Sequence, residues 1–165
     1  MLRVDQAGEF GATRIYAGQF AIMGGRHPLA REIRRMAAQE ARHRRVLDAM
    51  LVERGVRPTL LAPLWDVAGF ALGAATALIG PAAAMACTAA VETEIDRHYG
   101  AQEERLAEGD IDPELAATVA EFRAEEVEHR DAALAHGAES AIGYPLLSAA
   151  IRLGCRVAIR FSERI

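Results

Sequence analysis

Turn-forming residues are sparse in this chain, and the segments between them are long. A first helical stretch can run over residues 5–23, closed by Gly24-Gly25. His27-Pro28 opens a second, 28–54, that ends at Gly55, and Pro28 suits its first helical position. Pro58 and Pro63 bound a linker, and the apolar segment 64–79 ends at Gly80-Pro81. A third long stretch, 81–108, meets a turn at Gly109-Asp110. Asp112 can cap and Pro113 can start a fourth, 113–136, before Gly137. Tyr144-Pro145 opens a last segment, 145–161. No stretch alternates with period two long enough to make a half-buried strand.

Composition points the same way. Of 165 residues 35 are alanine, and 52% are hydrophobic but only 5% aromatic, which suits helices packed through small side chains rather than sheet. The length serves one domain, residues 1–165, with one core. The expected architecture is all-α: four core helices, with 64–79 and 145–161 as accessory helices that can face a membrane. The long connection, residues 56–80, falls between the second and third core helices. One long crossover of that kind is the ferritin-like four-helix arrangement.

The net charge of −4 offers no field for nucleic acid, so no nucleic-acid partner is expected. Cys87 and Cys155 stand far apart without a CxxC, which excludes a disulfide framework and a zinc finger and suits a reducing compartment. The first residues, Met1-Leu2-Arg3-Val4-Asp5, carry an acid at once, so no secretory signal is expected there. Between Asp66 and Glu92 lie 25 residues without a charge, long enough to cross a bilayer but broken by Gly69, Gly73, Gly80 and Pro81. Three readings stay open: a buried crossover, a surface dipping into one leaflet, and a true span. In the last segment Arg152, Arg156, Arg160 and Arg164 recur every fourth residue beside Leu153, Val157 and Phe161. That is either a basic amphipathic face for anionic headgroups or a terminal helix with a solvated arginine face.

Two histidines stand three residues after a glutamate, in Glu40-Ala41-Arg42-His43 and Glu126-Val127-Glu128-His129. The motif alone is weak, but each pair lies mid-helix, where residues three apart share a face. The other two core helices each carry one carboxylate among small or apolar neighbours, Glu9 and Glu92. A lone buried carboxylate costs several kcal/mol unless a cation meets it. The order Glu, Glu-x-x-His, Glu, Glu-x-x-His is the ligand pattern of carboxylate-bridged two-metal bundles. Its halves match further: Met36 and Phe122 stand four residues before the pairs, and Tyr16 and Tyr99 seven after the single glutamates. Four carboxylates balance two divalent ions, and oxygen and imidazole donors suit iron or manganese. Glu103, Glu104, Glu108, Glu121 and Glu125 are read as solvated, and Glu128 and Asp131 as groups that could orient a histidine or stay exposed. His27 and His136 are read as helix-end residues.

Several blocks resemble the demethoxyubiquinone hydroxylase family, the di-iron monooxygenases of ubiquinone biosynthesis. They include Arg3-Val4-Asp5-Gln6-Ala7-Gly8-Glu9-Phe10-Gly11-Ala12, Pro63-Leu64-Trp65, Met85-Ala86-Cys87-Thr88 and Gly154-Cys155-Arg156-Val157-Ala158-Ile159, and the likeness covers essentially the whole chain. It departs at Gln6, where the family has His, and at Phe10, where it has Tyr. The resemblance implies hydroxylation of a polyprenyl quinol substrate, demethoxyubiquinol, with two Fe ions, O2 and a reductant, NADH. It implies that Glu40 and Glu126 bridge the irons, that Glu9 and His43 complete one and Glu92 and His129 the other. It assigns His98 and Tyr99 to electron delivery. It also implies a peripheral site on the cytoplasmic face of a bacterial inner membrane, a homo-oligomer, and a lipid-binding accessory protein as partner. Two other classes remain: a ferritin-like ferroxidase or iron-binding protein, and a metal-free helical adaptor at a membrane surface.

Overall fold

The computed structural model describes residues 1–109 and 112–165, so Asp110 of the expected turn lies outside the described residues. Six α-helices follow one another: α1 (Leu2–Met23), α2 (Ala30–Glu53), α3 (Ala62–Ile79), α4 (Pro81–Gly109), α5 (Pro113–Ala135) and α6 (Tyr144–Arg164). A 3-10 turn, Ala138–Ser140, precedes α6, and no strand occurs among the described residues. The Asp112 carboxylate accepts the Leu115 N–H at 3.0 Å, and Pro113 then starts α5. Pro28 does not begin α2. The His27 ring accepts the Leu29 N–H at 3.2 Å, which holds Pro28 in a turn and delays the helix to Ala30.

α1 packs on α2, and α4 on α5. On each bundle helix the polar site residues sit between two apolar layers. One layer holds Tyr16, Ile33, Met36 and Met85; the other holds Leu47, Leu51, Tyr99 and Phe122. Ion pairs tie α2 to α5 across the middle, with Arg42 donating to Glu121 at 2.8 Å and to Glu125 at 2.6 Å. The structure is thus an all-α helical bundle with α3 and α6 laid against it.

The uncharged run serves two environments. Its second half opens α4 and is buried from Ala83 to Val91, whereas in α3 only Gly69, Gly73, Thr76 and Ala77 are buried. Leu64, Val67, Leu78 and Ile79 of α3 are exposed, as are Leu146, Leu153 and Phe161 of α6. Among the described residues, α3 is the helix long and apolar enough to cross a membrane. The arginine stripe of α6 is also divided. Arg152 and Arg156 each donate to one oxygen of buried Glu94 at 2.7 Å, fastening α6 to α4, while Arg160 and Arg164 are exposed.

α3 reaches α1 through glycine. A Cβ at Gly73 would overlap the Ile15 carbonyl, one at Gly18 the Phe70 carbonyl, and one at Gly69 would lie 2.9 Å from the Gly11 carbonyl oxygen. The two backbones meet directly, as small residues permit. Gly73→Val is therefore expected to cost about 3 kcal/mol and lower the thermal midpoint by roughly 6–12 °C. Circular dichroism melting checks it, and an unchanged midpoint would mean that α3 stands off α1.

Candidate metal centre

Glu9 on α1, Glu40 and His43 on α2, Glu92 on α4, and Glu126 and His129 on α5 meet in the buried middle of the bundle. Their donor atoms form two groups, Glu9-Glu40-His43-Glu126 and Glu40-Glu92-Glu126-His129, with the atoms of each within 4.8 Å of one another. Glu40 and Glu126 belong to both. The His43 Nδ1 lies 3.1 Å from Glu126, 3.3 Å from Glu9 and 4.0 Å from Glu40. The His129 Nδ1 lies 3.0 Å from Glu40 and 3.2 Å from Glu126. The three-residue spacing on α2 and α5 puts each glutamate beside its histidine.

Both imidazoles are held from behind. The His43 Nε2 donates to Glu125 at 2.8 Å, and the His129 Nε2 donates to the Gln39 carbonyl oxygen at 3.0 Å. Gln39 in turn donates to Glu125 at 3.3 Å, and Arg42 holds Glu125 from outside. With Nε2 so engaged, each Nδ1 faces the carboxylates. Glu125 is thus not a solvated group, because Arg42 and His43 draw it inward; Glu128 and Asp131 are exposed. A signal for Gln39 and Glu125 existed in the register, since each immediately precedes a site glutamate.

The two tyrosines cross over. The Tyr16 hydroxyl on α1 donates to Glu92 on α4 at 2.9 Å, and the Tyr99 hydroxyl on α4 donates to Glu9 on α1. A seven-residue spacing sets each tyrosine on the same face as its own helix's glutamate, but its hydroxyl reaches the glutamate of the other helix. Phe122 stacks on His43 with ring centres 3.9 Å apart, and the Met36 sulfur lies 3.7 Å from the Tyr16 hydroxyl.

Four carboxylates in so small a buried space cannot all ionise freely. Burial first, and then the neighbouring Glu126 charge, pushes Glu40 and Glu92 well above the usual carboxylate range. Burial opposes ionisation of Glu126 too, but the His129 and His43 imidazoles, 3.2 and 3.1 Å away, outweigh it and lower Glu126 to about 2. Burial works against charge on His43, yet the nearby carboxylates of Glu126 and Glu9 raise it to about 10. Both oxygens of Glu40, both of Glu126, Glu92 Oε2 and His129 Nδ1 are buried without a hydrogen-bond partner. Buried polar atoms are ordinarily satisfied. Orphaned carboxylate oxygens converging with imidazole nitrogens fit a pair of divalent cations with oxygen and nitrogen preference.

A cavity of about 520 Å³ lies beside this cluster, among α1, α3, α4 and α6. Ile15, Leu72, Val91, Ile95, Leu147 and Ile151 are among its apolar walls, and Asp5, His98 and Tyr99 add polar groups. Tyr99 therefore touches both the cavity and the acid cluster, through Glu9. The recorded polar contacts of His98 lie elsewhere. Its Nε2 is 2.9 Å from Asp5 Oδ1, and Gln102 also donates to that oxygen. Asp5 and Gln102 escaped the sequence reading, which had no reason to pair residues on α1 and α4.

The chain is similar to known proteins over nearly its whole length. The family profile described as "Ubiquinone biosynthesis protein COQ7" matches residues 1–162. The chain is 54% identical over 164 residues to the 3-demethoxyubiquinol 3-hydroxylase of Rhodospirillum rubrum, covering 99% of this chain and 76% of that one. It is 50% identical over 167 residues to the mitochondrial NADPH-dependent 3-demethoxyubiquinone 3-hydroxylase of Homo sapiens, with coverage of 100% and 76%. To the mitochondrial 5-demethoxyubiquinone hydroxylase of Saccharomyces cerevisiae it is 43% identical over 179 residues, with coverage of 100% and 77%.

Proposed function

Since this chain belongs to the family of the ubiquinone biosynthesis protein COQ7, we propose that it hydroxylates the ring of a polyprenylated demethoxyubiquinol at a two-iron centre. Membership makes it an enzyme, a hydroxylase. The observation that carries the finer reading is the set of orphaned carboxylate oxygens and inward imidazoles beside a large apolar cavity. Glu40 and Glu126 would serve both ions, with Glu9 and His43 completing one and Glu92 and His129 the other. When bound, two irons supply the activation of O2 that oxygen insertion into an aromatic ring requires. A ring C–H becomes C–OH, the second oxygen leaves as water, and the reductant supplies two electrons and two protons.

The chain's own residues do the rest. Glu125 and Gln39 hold the imidazoles, and Tyr16 and Tyr99 hold Glu92 and Glu9. The apolar walls exclude water and take the substrate's tail. The exposed apolar residues of α3 and α6 rest on one leaflet of a membrane, where such a tail resides. NADH was the expected reductant; the mammalian relatives' names specify NADPH, so the donor is read as a reduced nicotinamide nucleotide, with His98 and Tyr99 as its route. A homo-oligomer and a lipid-binding accessory protein at the cytoplasmic face of a bacterial inner membrane complete this reading. An iron-storage protein has no use for the apolar cavity and exposed apolar helices, which favour the hydroxylase.

Anaerobic Fe(II) titration followed by 18O2 and a short-tailed demethoxyquinol tests it by product mass. The expected result is uptake of two irons and gain of one labelled oxygen. Iron oxidation without oxygen transfer would favour a ferroxidase, and no stoichiometric iron would favour the adaptor.

A further inference from the structure

Glu94 on α4 is 2% exposed, and it faces α6 rather than the acid cluster. Its Oε1 accepts from two guanidiniums of α6, Arg152 and Arg156, each at 2.7 Å. Those two arginines keep more of their side chains in water, 39% and 37%. Arg97 stands 3.9 Å from the Glu94 Oε2 and is 70% exposed. Three cations thus meet one buried carboxylate, and α6 as a whole sets four arginines against one acid, Glu163. The same helix walls the cavity with Leu147, Ile151, Cys155 and Ile159, while its outer face shows Leu146, Leu153 and Phe161 to solvent. Between α5 and α6 the chain turns at Gly137 and Gly143, both in left-handed backbone, φ 86° and 68°. A turn of that kind can serve as a pivot for the helix that follows.

We propose that Glu94 is the latch of a lid: it withholds Arg152 and Arg156 from an anionic membrane, and lipid phosphates that take these arginines release α6 from the cavity. The inference rests on the membrane-facing reading of α6 above. Arg160 and Arg164, exposed on the same stripe, meet the surface first. Phosphate matches the guanidinium fork as carboxylate does, so headgroups can replace Glu94 bond for bond. A buried carboxylate stripped of its cations is costly, which keeps the latch shut in water. Once α6 lifts, Glu94 meets water and that cost falls. Each arginine near an anionic surface favours binding by about 5-fold, and the four of α6 act together. A zwitterionic surface accepts the apolar face but lacks the net charge that drives the exchange.

Cys155 on the cavity wall reports the lid, and the fully buried Cys87 reports the bundle. The full chain is treated with membrane-permeant N-ethylmaleimide, alone and with vesicles of phosphatidylcholine, with or without phosphatidylglycerol. The rate at each cysteine is read by peptide mass. Anionic vesicles should speed Cys155 at least about 10-fold in wild type, the worth of one hydrogen bond to a charged group. Neutral vesicles and inorganic phosphate should change it little. Glu94→Gln should show that acceleration with no vesicle present, and should sediment with anionic vesicles at lower lipid concentration. The double variant Arg152→Gln, Arg156→Gln should also react fast but lose the further response to vesicles. Cys87 should stay slow throughout. An unchanged rate in Glu94→Gln, a Cys87 that speeds up alongside Cys155, or equal acceleration by inorganic phosphate overturns the latch. Wild type that sediments with anionic vesicles while Cys155 stays slow overturns the latch and leaves the membrane reading standing. Failure to sediment with any vesicle overturns both.

Discussion

Replacing Glu126 with alanine is expected to abolish stoichiometric iron binding and to reduce hydroxylation at least about 100-fold, while the far-ultraviolet spectrum stays that of a helical bundle. The scale follows from neighbouring groups: residues that merely hold a metal ligand are worth roughly 10–100-fold, and a shared ligand is worth more. Both Glu126 oxygens lie without hydrogen-bond partners, one 3.1 Å from the His43 Nδ1 and the other 3.2 Å from the His129 Nδ1. One substitution thereby strips a donor from each half of the centre. The fold should survive, because the helices are joined by apolar layers on either side of the acids, through residues such as Ile33, Met85, Leu47 and Leu51. Glu125→Gln is the companion variant. It keeps the volume and an acceptor for the His43 Nε2 but removes the charge that Arg42 and His43 share, so iron should bind about 10–100-fold more weakly without being lost. Iron content by colorimetric chelation and activity by product mass check both. Normal iron uptake by Glu126→Ala would remove the two-metal assignment.

The second large effect is on stability. Metal-free protein is expected to be most stable near pH 5 and to lose stability as pH rises toward 8 and beyond. The folded-state ionisation of Glu40 and Glu92 is raised by burial, so their contribution is complete below the unfolded value near 4.3 and is lost as pH climbs through the raised folded value. His43, raised to about 10, acts in the same direction, with its contribution complete below about 6.5 and lost as pH passes through its folded value. Glu126, lowered to about 2, sets the acid limit, because its contribution is present above about 4 and lost toward its folded value. Divalent cations reverse the alkaline loss. Two sites each filled at about 100 times their dissociation constant add roughly 5 kcal/mol, or about 10–20 °C in thermal midpoint. The gain should be largest at pH 7–8 and smallest near pH 5, since protons compete for the same carboxylates. Thermal melts with and without anaerobic Fe(II) across this range test the claim. A midpoint at pH 7 that ignores the cation, or one that rises with pH in metal-free protein, would contradict it.

Much of this protein was legible along the chain. The helical character followed from sparse breakers and the lack of period-two segments, and the Glu-x-x-His spacing placed both side chains on one helical face because that spacing is a property of a single helix. The uncharged run was harder to read. Alanine-rich sequence packs equally well inside α4 and on the glycine-bearing side of α3, so hydropathy did not separate a buried half from an exposed one. Two of the four arginines in the last helix likewise answer to Glu94, an acid whose burial nothing in its neighbours announced.

What the amino-acid order determined by itself was everything periodic: six helices' worth of pattern, the lone glutamates and the acid–imidazole couples in matching register. Which helix answers which was decided only in three dimensions. Tyr99 reaches Glu9 rather than Glu92, Glu125 reaches His43, and Asp5 reaches His98, because each partnership depends on the rotation and offset between two helices. Those quantities are set by the packing of whole surfaces, and no spacing within one segment encodes them.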